Sequence, residues 1–149
     1  MASRALTDLH PSIQADARAL VAAWKTAGLT ILVTCTLRSL EEQARLYAQG
    51  RTAPGPVVTK ARPGRSWHNF GLALDLVPLR EGKAVWRSTD PLWSAALDVA
   101  RGQGWTCGAD WPAFPDLPHV QRVPRGLTLA TAREQVAAHG GALPEAWTA

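Results

Sequence analysis

The stretch from Ser66 to Val77 constrains the fold more than any other part of this 149-residue chain. Over Phe70 to Val77 the residues alternate as they would in a strand. Phe70, Leu72, Leu74 and Leu76 fall on one face, and Gly71, Ala73 and Asp75 on the other. One face is a core face. The other is cleared of bulk as it approaches a carboxylate, which makes room beside an acid for something else. His68 precedes Asp75 by seven residues, which on a straight strand would set the two on opposite faces. A turn at Asn69 lets both converge on one point.

The remaining elements fit around that strand. Pro11, at a first helical position, opens a helix in which Leu20, Val21 and Trp24 recur at helical spacing, and Gly28 stops it. Thr30 to Thr36, with Ile31, Leu32 and Val33, reads as a short buried strand. Ser39 caps a second helix as a capping box with Glu42, and Gly50 ends it. Arg51 to Arg65 carries three prolines and two glycines and reads as a basic loop. Glu81-Gly82 marks a hairpin towards Val85-Trp86, and Asp90-Pro91 opens a third helix running to about Arg101. Trp105 and Val120 belong on or beside further strands, and Thr128 to His139 forms a closing helix. Helices against a small, largely antiparallel sheet give an α+β fold in a single domain spanning 1–149.

Composition narrows the class. With 46% hydrophobic residues, a chain of this length buries about two-thirds of its unfolded surface and needs no disulfide framework. Cys35 and Cys107 are expected as free thiols, structural or near a site. No apolar run approaches the ~20 residues of a membrane span. Asp8, Asp16 and Arg18 interrupt what would be a secretory leader, so synthesis in the cytoplasm without a signal peptide is expected. Sixteen Lys and Arg against 12 Asp and Glu give a net charge of +4, suited to an anionic partner such as nucleic acid or an envelope polymer. The basic loop has no interleaved aromatics and matches no nucleic-acid motif, so it reads as a solvated cleft rim. Of seven Trp, Trp24 and Trp93 read as helix core.

Of the four histidines, His10 and His139 stand at helix ends and are assigned no function. His68 and His119 are different. Prolines hold His119 on an extended path, and Asp116 lies three residues before it. Two imidazoles and a carboxylate, with a second carboxylate nearby, are the inventory of a catalytic zinc site. Spacing alone leaves a second reading open, in which both histidines are half-buried hydrogen-bonding residues and both aspartates form turns. No HExxH helix is present.

The ordered set Ser66-x-His68-x-x-Gly71-x-Ala73-x-Asp75, then Asp116-x-x-His119, resembles the signature of a family of zinc peptidases. This is the D-alanyl-D-alanine carboxypeptidase and L-alanyl-D-glutamate endopeptidase family, which has the hedgehog/DD-peptidase fold. The likeness continues through Leu37-Arg38-Ser39, Glu42-Gln43, Leu46-Tyr47, Gln49 to Thr52, Val58 to Ala61 and Gly108 to Trp111. It spans about residues 29–121 and is strongest to bacteriophage endolysins. It implies that His68, Asp75 and His119 bind one Zn2+ ion and that Asp116 is the general base. It also implies that Arg38 polarises the scissile carbonyl and that Ser66 lines the site and helps hold substrate. Trp67 and Trp111 then flank the metal.

The function implied is hydrolysis of the peptidoglycan stem peptide at the L-alanyl-D-glutamate bond, by an enzyme that reaches the wall after membrane permeabilisation or lysis. A D,D-carboxypeptidase or dipeptidase that trims terminal D-alanine is the rival within the family. A non-catalytic zinc or wall-binding module is the rival outside it. The expected partners are the stem peptide and, through the positive charge, an anionic envelope surface. No nucleic acid and no stable membrane insertion are expected, and the chain is expected to be a monomer.

Overall fold

The computed structural model describes residues 2–149. Four α-helices accompany a five-stranded sheet in the chain order α1 (Pro11–Thr26), β1 (Thr30–Cys35), α2 (Leu40–Ala48), β2 (Ala73–Arg80), β3 (Lys83–Ala84), α3 (Pro91–Gly102), β4 (Thr106–Cys107), β5 (His119–Gln121) and α4 (Leu129–Ala138). The sheet runs β1-β2-β5-β4 with β3 also on β2, and every pairing is antiparallel. The α+β expectation holds.

Helix starts follow the local chemistry. Ser39 Oγ accepts from the Glu42 amide at 3.0 Å, Asp90 Oδ1 accepts from Leu92 at 2.9 Å, and Pro11 and Pro91 stand where no amide donor is needed. α1 and α3 pack together, with Trp24 Nε1 donating to the Ala96 carbonyl at 2.9 Å. Leu20, Trp24, Leu72, Leu74, Leu76 and Trp93 are all buried in one core with them. Ala132 of α4 is fully buried and closes one side.

Two expectations need correction. The strand begins at Ala73 and runs to Arg80, rather than spanning Phe70–Val77. Trp67–Phe70 is instead a turn of 3₁₀-helix. Gly71 follows it at φ +67°, where an added Cβ would sit 2.7 Å from the His10 amide nitrogen, so only glycine fits both the left-handed turn and the contact. Second, β1 is not a buried strand. As the sheet's edge it is mostly part-exposed, with Leu32 at 39%. His10 stands at the entry of α1 as expected, where it is the N-cap. Its Nδ1 accepts from the Ser12 amide, and its Nε2 meets the Pro144 carbonyl at 2.7 Å, which ties α1 to the C-terminal segment.

Register places the site. Asp75 is opposite Cys35 on one side and His119 on the other. Directly paired residues point to the same sheet face. Three reactive side chains therefore form one row across β1, β2 and β5.

Candidate metal centre and active-site cleft

His68 joins that row from the 3₁₀ turn, which Ser66 caps by accepting from the His68 amide. This is the convergence that a turn at Asn69 was expected to give. His68 Nε2 lies 3.0 Å from Asp75 Oδ1, His119 Nδ1 lies 3.2 Å from His68 Nε2, and His119 Nδ1 lies 3.6 Å from Asp75 Oδ1. A tetrahedral ion bound at ~2.0–2.1 Å needs donors about 3.3 Å apart. The three donor atoms have that spacing.

Hydrogen bonds at the far ring nitrogens set the tautomers. His68 Nδ1 is 2.9 Å from the Thr36 carbonyl, which can only accept, so Nδ1 keeps its proton and Nε2 is the nitrogen that offers a lone pair once the ring is neutral. His119 Nε2 faces Gln121 Oε1 at 2.8 Å, which in the same way frees Nδ1. The donor set and its outer partners thus fit a single zinc ion. Cys35 also lies within 4.8 Å of His68 and Asp75. Its Sγ lies 3.6 Å from His68 Nδ1, the ring nitrogen that also faces the Thr36 carbonyl.

Without a metal the two charges balance each other. Burial alone would lower the His68 imidazolium. The charge and hydrogen bond of Asp75, aided by Cys35, reverse this and hold it up at about 10. Burial would likewise raise Asp75, but His68 and His119 hold its carboxyl well below the usual range. A metal ion at this point would take the place of the His68 proton.

Asp116 is placed by a turn. Its amide donates to the Gly108 carbonyl at 2.9 Å, and its carbonyl accepts from the His119 amide at 3.2 Å. Loss of water against the cleft walls, and then the nearby charge of Asp75, raise its carboxyl above the usual range, while His119, His68 and Arg38 pull the other way. Gly108 makes the close approach possible, since an added Cβ would lie 2.6 Å from the Asp116 carbonyl oxygen and 3.1 Å from His119 Cβ. Arg38 reaches the same place, with Nη2 3.8 Å from Asp75 Oδ2 and 3.5 Å from Cys35 Sγ.

A buried polar network holds Arg38. Gln43, fully buried, accepts from Arg38 Nη1 at 3.0 Å and donates to the Ala61 carbonyl at 2.8 Å. Asn69 donates to the Arg38 carbonyl at 3.0 Å, and its Oδ1 accepts from the amides of Gly64 and Ser66. Gln43 falls within the family likeness, and its polar side chain on the inward side of α2 is the local signal for this. Thr36, Asn69 and Gln121 act through a backbone carbonyl or a side-chain amide and carry no spacing signature of their own.

Around these groups lies a cleft of about 950 Å³. All six residues expected at the site, Arg38, Ser66, His68, Asp75, Asp116 and His119, line it. Part of the basic loop forms one wall, and Trp111 and Phe114 stand in the other. Trp67 also lines the cleft, and the Trp111 ring is 5.1 Å from His119.

Two convergent imidazoles, a carboxylate between them, a separate carboxylate and a guanidinium in one cleft define a hydrolase site of the metallopeptidase class. Comparison with known proteins agrees. A profile of the D-alanyl-D-alanine carboxypeptidase family matches residues 59–122. The peptidoglycan L-alanyl-D-glutamate endopeptidase CwlK of Bacillus subtilis (strain 168) is 37% identical over 126 residues, covering 79% of this chain and 75% of that protein. An L-alanyl-D-glutamate peptidase of Listeria phage A118 is 30% identical over 124 residues, covering 80% of this chain but 41% of that protein. Among solved structures, the L-Ala D-Glu endopeptidase ChiX of Serratia marcescens superimposes with a TM-score of 0.56 at 23% identity, covering 83% of this chain and 89% of that one. The LD-carboxypeptidase LdcB superimposes at 0.57 with 24% identity, covering 92% and 74%. These two establish the shared fold. The chain belongs to the D-alanyl-D-alanine carboxypeptidase and L-alanyl-D-glutamate endopeptidase family, and it is a metallopeptidase.

Proposed function

We propose that this protein is a zinc-dependent endopeptidase that cleaves the L-alanyl-D-glutamate bond of the peptidoglycan stem peptide. The observation that carries the metal assignment is the tripod of His68 Nε2, Asp75 Oδ1 and His119 Nδ1, with its outer hydrogen bonds freeing both imidazole lone pairs. The bond is supported by the names of the Bacillus and phage relatives. A zinc ion held there supplies Lewis acidity and brings the pKa of a bound water down to about 7.

The chain's own groups divide the remaining work. Asp116 accepts a proton from the attacking water, and a carboxyl raised above its ordinary range is a stronger base for that step. It then passes the proton to the leaving amine of D-glutamate. Arg38, fixed by Gln43, faces the charge that develops on the carbonyl oxygen. Ser66 lines the cleft and helps hold the peptide, while its hydroxyl also orients His68. The phage relative supports a lytic role.

Mass analysis of purified peptidoglycan digested by the protein tests the bond. The expected fragments end in L-alanine on the glycan side and begin with D-glutamate on the released side. Release of free D-alanine instead would assign the protein to the trimming carboxypeptidases.

A further inference from the structure

The charge lining the cleft does not balance. Among the described residues its only carboxylates are Asp75 and Asp116, and the proposed metal centre and base use both. Beyond Arg38, the cleft is also lined by Lys60 and Arg65, both exposed. Among the described residues neither side chain has a carboxylate partner. Other loop cations do not share this position. Arg51 bonds to the Tyr47 and Thr59 carbonyls and lies over the Tyr47 ring, and Arg62 reaches the Tyr47 hydroxyl.

Lys60 is nonetheless held in place. Its Nζ lies 3.1 Å from the centroid of the Phe114 ring, which joins the basic-loop wall to the wall that carries Asp116. Phe114 is itself 59% exposed. A cation over an exposed ring gains little, whereas a charge-assisted hydrogen bond to a carboxylate is a stronger contact. An ammonium has three N–H donors, and a ring face engages only one side of it. Lys60 is thus positioned over the cleft with donors unspent.

We propose that Lys60, assisted by Arg65, is an anchor for a free carboxylate on the leaving side of the substrate. This inference rests on the proposed bond. D-glutamate acylated on its amine by L-alanine has two carboxyl groups, and a linear chain continues through only one of them. The other is an anion that the cleft must accommodate, and Lys60 and Arg65 are its uncommitted cations. The pair would make the enzyme selective for peptides in which that carboxylate is free rather than amidated.

The test uses two synthetic stem peptides identical except that the non-chain carboxyl of D-glutamate is free in one and amidated in the other. Binding is measured by calorimetry to the zinc-loaded full chain carrying Asp116→Asn, with and without Lys60→Gln, and cleavage by the otherwise unsubstituted protein is scored separately by mass. The expected result is at least tenfold tighter binding of the free-carboxylate peptide, with the ratio falling to within about threefold of one when Lys60→Gln is added. Equal binding of the two peptides, no binding of either, or an equal loss on both in the Lys60→Gln protein overturns the anchor. Cleavage at another bond, with the binding ratio intact, overturns the proposed bond and with it the leaving-side placement, and leaves only the Lys60–carboxylate contact standing. Lys60 and Arg65 are exposed, so their substitution does not threaten the core.

Discussion

Gln43→Leu is the substitution that most separates positioning from chemistry. Leucine is close to glutamine in size, so the change removes hydrogen bonds without opening a large cavity. Two groups lose their partner: Arg38 Nη1, which Gln43 accepts at 3.0 Å, and the Ala61 carbonyl, to which it donates at 2.8 Å. Arg38 can ill spare the contact, because its Nε is already buried without a hydrogen-bond partner among the described residues. An unsatisfied buried polar group costs about 1–3 kcal/mol, and the two together about 2–6 kcal/mol. At about 2–4 °C per kcal/mol for a chain near this size, melting should fall by roughly 5–20 °C. Removal of a transition-state donor typically costs about 10²–10³ in kcat. A loosened Arg38 should therefore lower kcat at least about tenfold with a smaller change in KM, measured below the variant's own melting range. In a double-mutant cycle, Gln43→Leu added to Arg38→Ala should cost little further turnover. An unchanged melting temperature with full turnover would show that Arg38 does not depend on Gln43. Additive losses in the cycle would show that Gln43 acts elsewhere.

Three further outcomes are expected. Asp116→Asn should bind zinc with unchanged stoichiometry by atomic absorption while turnover falls about 10²–10⁴-fold; a variant with full activity removes Asp116 from the mechanism. Gly108→Ala places a Cβ 2.6 Å from the Asp116 carbonyl and 3.1 Å from His119 Cβ. It should weaken zinc affinity about 10–100-fold in chelator competition, because both a ligand and the base must shift. Zinc uptake at pH 7 should release about one proton, read by calorimetry in buffers of different ionisation enthalpy. The metal-free protein holds the His68 proton with a pKa of about 10 and the bound protein cannot. Affinity should then rise with pH from 7 towards 10, and zero release would show that His68 is neutral in the free protein.

The parts of this molecule that the sequence revealed are those with a local physical cause. Helix starts at Pro11, Ser39, Asp90 and Thr128 follow from capping, and they stand where expected. The boundary of β2 was misjudged because the same leucines serve two geometries. Phe70 and Leu72 are buried from a 3₁₀ turn and its left-handed exit as thoroughly as they would be from a strand. The edge position of β1 is set by pairing with β2, which no residue of β1 announces. In the site, His68, Asp75, Asp116 and His119 were legible as a pattern, yet spacing alone did not bring them together. The turn at residues 67–70 and the β2–β5 register do that. The roles of Gln43 and Asn69 stayed hidden because a buried amide is defined by its partners, and these lie anywhere from 3 to 31 residues away in the chain.

Zinc titration of chelator-stripped protein, scored by the appearance of new D-glutamate amino termini in purified peptidoglycan, tests the central claim most directly. Stripping should abolish release, and activity should return linearly and break at one equivalent of zinc, with no such return in the His68→Ala or His119→Ala protein. Undiminished release after stripping, or recovery of activity in either histidine variant, would contradict a catalytic zinc ion held by His68, Asp75 and His119.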